Sequence, residues 1–421
     1  MSMKTTMIAL AALAMSGTAV EAAVSVSNVV CTQQYPWNGK VDIDYEVFAD
    51  DPAADVWVYA TGFDKDAHVS MGVRAISGDG ANAPVKPGKH RMTWDVTSDY
   101  PGFNTTKFTV KMTAITGGAP YMVVDLSGGV DALSYPVSYL SSVPAGGWTD
   151  EYKTTKLVLR LIPPGTFMMG SPSDELGRSS NETLHQVILT KPFYMGIFEI
   201  TQKQWQLVMG SSKPTSSGSY NIVGDLYPAH GISYNEIRGT VNGAAWPIHN
   251  QVDADSFIGR LRSKVNMLFD LPTESQWEYA CRAGTGTALN NGKNLTRTGS
   301  NRCVNLDEVS WYYPRSNNRP TTVGSYRENN WGLYDMHGNV WEWCVDGYQD
   351  NLGSSTCTDP IGSTSGSSRV MRGGGYSVYS DWGEPQRCRS ASRISVGPNT
   401  ALTNNYGCEY FGLRVVCLPA E

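Results

Sequence analysis

The sequence predicts two folded units of different class, an all-β sandwich followed by a loop-rich α+β domain. Two observations predict this division. Apolar and polar residues alternate repeatedly from residue 24 to about residue 126, with no helical run between them. After about residue 150, helix-capping signals, glycines and aromatic residues replace that alternation. The 421 residues are enough for two domains.

Residues 1–23 are predicted to form a secretory signal peptide. Lys4 supplies the positive start, residues 7–15 form a short apolar run, and Val20 and Ala22, on either side of Glu21, suit a small-residue cleavage site. No other run is long and apolar enough to cross a bilayer. We therefore expect an exported protein, secreted or periplasmic, without a membrane span.

Residues 24–126 are predicted to form an immunoglobulin-like or fibronectin-like sandwich. Half-buried strands are indicated by alternation in five segments, 41–49, 56–62, 90–96, 107–115 and 121–126. The spacers between them carry Gly, Pro, Asn and Asp. Residues 127–150 are rich in Gly, Ser and Pro and are predicted to be a linker.

Residues 151–421 are predicted to form the α+β domain. Residues 154–171 favour strand, turn and strand. Three capping boxes then indicate helix starts, at Thr201 with Gln204, Ser233 with Glu236, and Thr273 with Gln276. Beyond residue 283 the chain is mostly loops, glycines and aromatic residues. The domain should therefore contain few helices and much irregular structure.

The composition argues against a nucleic-acid-binding protein and against a zinc-binding protein. A net charge of −6 leaves no basic stripe to neutralise phosphates, so a nucleic-acid partner is not expected. The eight cysteines include no CxxC pair or Cys/His cluster with zinc-site spacing. In an exported chain, disulfides are the expected use of cysteine.

Seven phrases in the second domain resemble, in their order and spacing, the formylglycine-generating enzymes, also called sulfatase-modifying factors. They are PPGTFMMGS (163–171), FYMGIFEITQKQW (193–205), PAHGISYNE (228–236), LPTESQWEYACRAG (271–284), NNWGLYDMHGNVWEWCVD (329–346), RVMRGGGY (369–376) and FGLRV (411–415). The resemblance covers about residues 154–418 and implies a variant of the C-type lectin fold. That fold has a small twisted antiparallel sheet, two or so helices and long loops.

The resemblance also implies a chemistry and shows where this chain departs from it. Members with oxidase activity convert a sulfatase cysteine to formylglycine, using molecular oxygen and a copper ion on two cysteine thiolates, the soft ligands that cuprous copper prefers. The corresponding positions here are Val378 and Gly383. We therefore expect this chain to lack the family's copper site, and we assign no catalytic residue.

Calcium is the cofactor that the resemblance implies. The side chains of Asp335 and Glu342 and the carbonyls of Gly338 and Val340 match a family calcium site, and such oxygen ligands suit Ca²⁺. A second family site would use the Asn305 side chain and the Leu306 carbonyl. The loop that should complete this second site, residues 313–324, contains no Asp or Glu, which argues against it.

The resemblance further pairs Cys281 with Cys388 as a disulfide that would tie a helix to the glycine-rich loop. Around that loop, aromatic residues lie among Ser, Asn and Gly, a composition typical of binding surfaces. An ordinary irregular loop would have the same composition. The residues predicted to form a binding surface are Tyr376, Tyr379, Trp382, Arg387, Arg393 and Tyr406.

Three functions fit these observations. The first is a non-oxidase protein that binds a peptide, glycan or cell-surface ligand on the lectin-like frame. The second is an oxidoreductase that makes formylglycine, or performs an unrelated oxidation, by an altered mechanism. The third is a receptor-like display protein, because some retroelement-diversified proteins share this fold and vary the same C-terminal segment.

Overall fold

The structure is a computed structural model. The residues it describes are 24–64, 69–73, 75–81, 83–99, 102, 108–116, 119–213, 222–245, 251–363, 366–377, 383–399 and 410–418. The predicted signal peptide, 1–23, lies outside these residues. Among the helices described, none has the length and apolar character needed to cross a membrane.

The first unit consists of two antiparallel sheets. One sheet has the strand order β1-β2-β6-β5 and the other has the order β4-β3-β7. The strands are β1 Val24–Gln33, β2 Lys40–Ala49, β3 Val56–Asp64, β4 Val69–Gly72, β5 Ile76–Gly78, β6 Gly88–Asp95 and β7 Phe108–Thr116, with a one-turn helix α1 at Val96–Asp99.

The two sheets share one apolar core. Along β2 every second side chain is buried, as the alternation in the sequence predicts. Ile43 of β2 lies opposite Met92 of β6, and both pack in one cluster with Val58 of β3 and Met112 of β7. The assignment of this unit to the immunoglobulin-like or fibronectin-like class stays a prediction.

The boundary between the units differs from the predicted one. The segment predicted to be the last sandwich strand forms β8, Tyr121–Asp125, which pairs with β10, Lys156–Ile162, in the sheet of the second unit. The predicted linker contains a further strand of that sheet, β9, Val137–Leu140. Alternation identified β8 as a strand but could not identify its neighbours, because both sheets bury apolar residues in the same way.

The second unit is built around a six-stranded sheet with the order β14-β22-β13-β10-β8-β9. Smaller sheets have the orders β20-β19-β17-β21, β11-β12-β18 and β15-β16. The remaining strands are β11 Gly165–Met169, β12 His185–Leu189, β13 Phe193–Gly196, β14 Phe269–Asp270, β15 Ser310–Trp311, β16 His337–Gly338, β17 Trp341–Gly347, β18 Cys357–Thr358, β19 Arg369–Arg372, β20 Ile394–Val396, β21 Phe411–Gly412 and β22 Val416–Cys417.

Four helices are described in the second unit, where the resemblance implied about two. They are α2 Gln202–Met209, α3 Tyr234–Arg238, α4 Phe257–Val265 and α5 Glu274–Arg282. The three predicted capping boxes are confirmed at the starts of α2, α3 and α5. At α5, Gln276 N donates to Thr273 Oγ1 at 3.1 Å and Thr273 N donates to Gln276 Oε1 at 2.9 Å. These contacts satisfy backbone donors that a helix start would otherwise leave free.

Thr273→Ala is expected to lower the free energy of unfolding by about 1 kcal/mol, because it removes one half of the capping box of α5. Thr240→Ala is the matched control, since Thr240 is exposed and is not the N-cap residue of any described α-helix. Urea denaturation of both variants measures the difference. Equal effects at the two positions would contradict the capping role.

Candidate functional site

The candidate site lies around the glycine-rich turn that follows β19. Gly373 and Gly374 have φ angles of 99° and 79°, in the region that favours glycine. A Cβ on Gly374 would lie 2.6 Å from Cys388 Sγ, so the turn also packs too closely for any larger residue. Gly338 N donates to the Gly373 carbonyl at 2.7 Å, which holds the turn against the DMHGNVWE segment.

Beneath the turn, buried arginines and carboxylates of α5 form a network. Arg372 donates to Glu274 at 2.9 Å and to Glu278 at 2.7 Å. Arg393 donates to both oxygens of Glu274, at 2.6 and 2.7 Å, and Arg282 pairs with Glu278 at 2.7 Å. Burial alone would raise the pKa of Glu274, but the charges of Arg393 and Arg372 outweigh it and lower that pKa.

Two residues predicted to form a binding surface therefore belong to the core. Arg393 is 2% exposed and is held by Glu274, while Tyr376 is 1% exposed and packs in the main apolar cluster. Their sequence context of glycines, serines and arginines also suits a buried polar network, and composition alone could not separate the two cases. Arg387 is half-buried. Tyr379, Trp382 and Tyr406, together with Val378, lie outside the described residues.

Gly383, one of the two positions where the family's copper cysteines would lie, is buried and closely packed. A Cβ on Gly383 would lie 2.1 Å from the Ser377 carbonyl oxygen and 2.8 Å from that of Gly375. Both contacts are with backbone, so no side-chain rotation would relieve them. The local backbone thus occupies the space that a thiol side chain would need.

The first predicted calcium site is a cluster of buried carboxylates. Glu342 accepts from Trp277 Nε1 at 2.7 Å and from Arg414 Nη2 at 2.8 Å. Asp335 Oδ2 accepts from Gly324 N at 2.6 Å. Burial raises the pKa of Asp335 to about 6, and the nearby charge of Glu342 also acts to raise it.

Glu199 is a third carboxylate of this cluster, and the sequence analysis did not single it out. It accepts from Asn339 Nδ2 at 2.6 Å and from Val340 N at 3.1 Å. Burial, and then the charges of Asp335 and Glu342, raise the pKa of Glu199 well above its usual value. In the sequence, its burial was indicated by the position of this acidic residue between the apolar Phe198 and Ile200.

The second predicted calcium site gains no support from the geometry. The Leu306 carbonyl accepts from Val309 N at 3.1 Å, and Asn305 Nδ2 donates to the Asn294 carbonyl at 2.8 Å. An amide nitrogen is not a calcium ligand and a carbonyl oxygen has two lone pairs, so these bonds do not occupy the predicted ligand atoms, and the second site stays a prediction.

The seven cysteines that the structure describes are all free, including Cys281 and Cys388. Both of these are buried, and the His337 ring lies between their segments: Nδ1 is 2.6 Å from the Cys388 carbonyl and Nε2 is 3.8 Å from Cys281 Sγ. The disulfide between them stays a prediction for the exported protein.

Comparison with known proteins identifies the family. The sulfatase-modifying factor enzyme 1-like domain matches residues 149–417, more than half of the chain. The chain belongs to the sulfatase-modifying factor family. The predicted resemblance is therefore confirmed.

Relatives of this sulfatase-modifying factor protein include formylglycine-generating enzymes. That of Mus musculus is 25% identical over 275 residues, covering 58% of this chain and 72% of the enzyme. That of Streptomyces coelicolor is 28% identical over 279 residues, covering 58% and 85%. The chaperone protein LppX of Paenibacillus barcinonensis is 31% identical over 180 residues, covering 36% of this chain and 61% of LppX.

Solved structures with similarity to this chain include two proteins. Treponema denticola variable protein 1 has 24% sequence identity and a TM-score of 0.47, over 63% of this chain and 96% of that one. PvdO from Pseudomonas aeruginosa has 25% identity and a TM-score of 0.47, over 62% and 94%.

Asp346→Asn is expected to flatten the pH dependence of stability between about pH 4 and pH 8. Burial, together with the charge of Glu274, raises the pKa of Asp346 to about 8, and Asp346 Oδ2 accepts from Glu274 N at 2.7 Å. The protonated acid thus stabilises the fold at low pH, and this stabilisation is lost as the pH rises through 8. The slope is at most about 1.4 kcal/mol per pH unit.

The measurement is urea denaturation of wild type and Asp346→Asn at several pH values across this window. Asp174→Asn, at an exposed position, is the control and should keep the wild-type slope. A slope in Asp346→Asn equal to that of wild type would show that Asp346 does not titrate in this range.

Proposed function

We propose that this protein is an exported, non-oxidase member of the sulfatase-modifying factor family that binds a ligand on the family frame. The observation that carries the proposal is the packing of Gly383, where a Cβ would lie 2.1 Å from the Ser377 carbonyl oxygen. The family's oxidase chemistry needs a copper ion on two thiolates. Here the corresponding residues are Val378 and Gly383, and Gly383 has no room for a thiol side chain.

The buried thiols nearby are poor substitutes for the missing pair. Burial raises the pKa of Cys281 and of Cys388 to about 12, so neither is a thiolate near neutral pH. The raised pKa of both thiols supports the proposal of a protein that does not use copper.

The proposed ligand surface is what remains of the predicted one after Tyr376 and Arg393 are assigned to the core. It comprises Tyr379, Trp382 and Tyr406 with the half-buried Arg387. Aromatic and arginine side chains dominate recognition surfaces. The ligand would be a peptide, a glycan or another cell-surface group, and the first unit would act as a spacer or adhesive module.

Calcium is proposed as a structural ion of the second unit. Asp335, Glu342 and Glu199 are three buried carboxylates whose charges act on one another, although the side chains of the described residues are not arranged as a ready three-group metal site. Carboxylate oxygens of this kind suit Ca²⁺. Arg414 balances part of their charge through Glu342. The carbonyls of Gly338 and Val340 would complete the set with Asp335 and Glu342, and the ion would supply positive charge to the carboxylates.

Removal of calcium with a chelator is expected to lower the melting temperature, because an ion that binds only the folded state raises its stability. Asp335→Ala should abolish the difference between calcium-loaded and chelated protein. Asp174→Ala, at an exposed acid, should preserve it. Identical melting curves of the wild type with and without chelator would refute calcium binding.

Aerobic incubation with copper and a cysteine-containing sulfatase peptide is expected to yield no formylglycine. Mass spectrometry follows the peptide, with the Streptomyces coelicolor enzyme as positive control. A product with the aldehyde mass, formed faster than without protein, would establish the oxidase alternative.

Fluorescence anisotropy of the same labelled peptide should detect its binding to the protein, and Trp382→Ala should weaken this binding about tenfold without changing the melting curve.

A further inference from the structure

A cleft of about 530 Å³ lies between the two units, away from the glycine-rich turn. Its walls come from both units. Trp57 and Tyr59 of β3 line one side, and Tyr121 of β8, Trp148, Trp331 and Tyr334 line the other. Concave sites of this size at the interface between domains are where small ligands bind most often.

The units are fixed to each other at the floor of this cleft. Trp57 of β3 packs in the main apolar cluster of the second unit. The Tyr194 hydroxyl donates to the Ala119 carbonyl at 2.8 Å, and Leu161 N donates to the Pro120 carbonyl at 2.9 Å. These contacts anchor the segment that connects the units, so the two walls face each other in a defined arrangement.

Arg160 of β10 provides the positive charge of the cleft. Its guanidinium lies 4.8 Å from the ring centre of Tyr121 and 5.7 Å from that of Tyr59, so it joins the two walls. Within the described part of the chain, its one hydrogen bond is from Nη1 to the Pro120 carbonyl at 3.2 Å, and it forms no ion pair with a described carboxylate. A guanidinium has five N–H donors, so most of them stay available to a ligand.

The Tyr59 hydroxyl is a second group without a partner. Its oxygen is buried and makes no hydrogen bond to any residue that the structure describes. A buried hydroxyl without a partner is unfavourable by about 1–3 kcal/mol, and native proteins rarely retain one without a reason. A ligand group that reaches this oxygen, which solvent does not touch in this structure, would supply the missing partner.

The remaining lining determines the class of ligand. Flat aromatic faces on both walls suit the apolar face of a sugar ring, and Ser141, Ser142 and Asn330 add hydrogen-bonding groups around it. The lining also contains the carboxylate of Glu328, which hydrogen-bonds with Tyr334. Arg160 disfavours a cationic ligand and pairs well with a carboxylate. The volume is sufficient for one or two sugar rings.

We propose that this cleft binds an acidic saccharide, with its carboxylate on Arg160, a ring face on the aromatic walls and a hydroxyl group on Tyr59. The site is separate from the ligand surface proposed above and does not depend on it. The interface between the two units would then serve to bind the saccharide.

Isothermal titration of the mature two-unit protein tests this site. The probes are disaccharides of glucuronate, galacturonate and mannuronate, each beside its neutral counterpart. At least one uronate disaccharide should bind about tenfold more tightly than its neutral counterpart, because the carboxylate forms charge-assisted hydrogen bonds. Arg160→Gln should abolish this preference, while Arg319→Gln, at an exposed arginine outside the cleft, should retain it.

Tyr59→Phe separates a binding role from a structural one. It should weaken the bound uronate about fivefold while leaving the melting temperature unchanged or higher, because it removes only the hydroxyl that lacks a partner. The proposal would be overturned if no uronate binds, if acidic and neutral sugars bind equally well, or if Arg160→Gln keeps the full preference for the acidic sugar. If Tyr59→Phe binds the uronate with wild-type affinity, the Tyr59 hydroxyl does not contact the ligand. None of these results depends on the sulfatase peptide, so the two proposals fail separately.

Discussion

The second unit depends on the ion pairs that α5 makes with arginines from distant parts of the chain. Arg372 connects Glu274 and Glu278 of α5, and Arg393 adds two further bonds to Glu274. Breaking a buried pair by removing one partner costs about 3–5 kcal/mol, since the other charge stays buried alone. Many strands of this unit are only two residues long, so they form few backbone hydrogen bonds. The buried ion pairs therefore fix the relative positions of helix and strands that these short strands could not fix alone.

The parts of the fold that short-range rules govern were predictable from sequence. The three capping boxes are an example, because Thr201, Ser233 and Thr273 each act on a backbone group three residues away. Four strands of the first unit, β2, β3, β6 and β7, followed from alternation for the same reason. The pairing of β8 with β10 was not predictable in this way, since it joins segments about 35 residues apart and both candidate sheets accept the same pattern.

The candidate site shows a similar division. Motif phrases located the glycine-rich turn and the carboxylates Asp335 and Glu342, whose charges act on the buried Glu199. The phrases could not show that Tyr376 and Arg393 face inward, because an arginine near serines and glycines suits a surface or a buried pair equally well. The packing of Gly383 against the Ser377 carbonyl also required coordinates, since it depends on a backbone path rather than on residue type.

The course of β8 has a mechanical consequence. Because this strand lies between β9 and β10, the chain leaving the first unit enters the second as an interior strand rather than as a free tether. Tension on the first unit would load β8 along its own axis. The inter-strand hydrogen bonds on both sides, which run across that axis, would then resist together in shear. Force applied to the first unit would therefore reach the largest sheet of the second unit through β8.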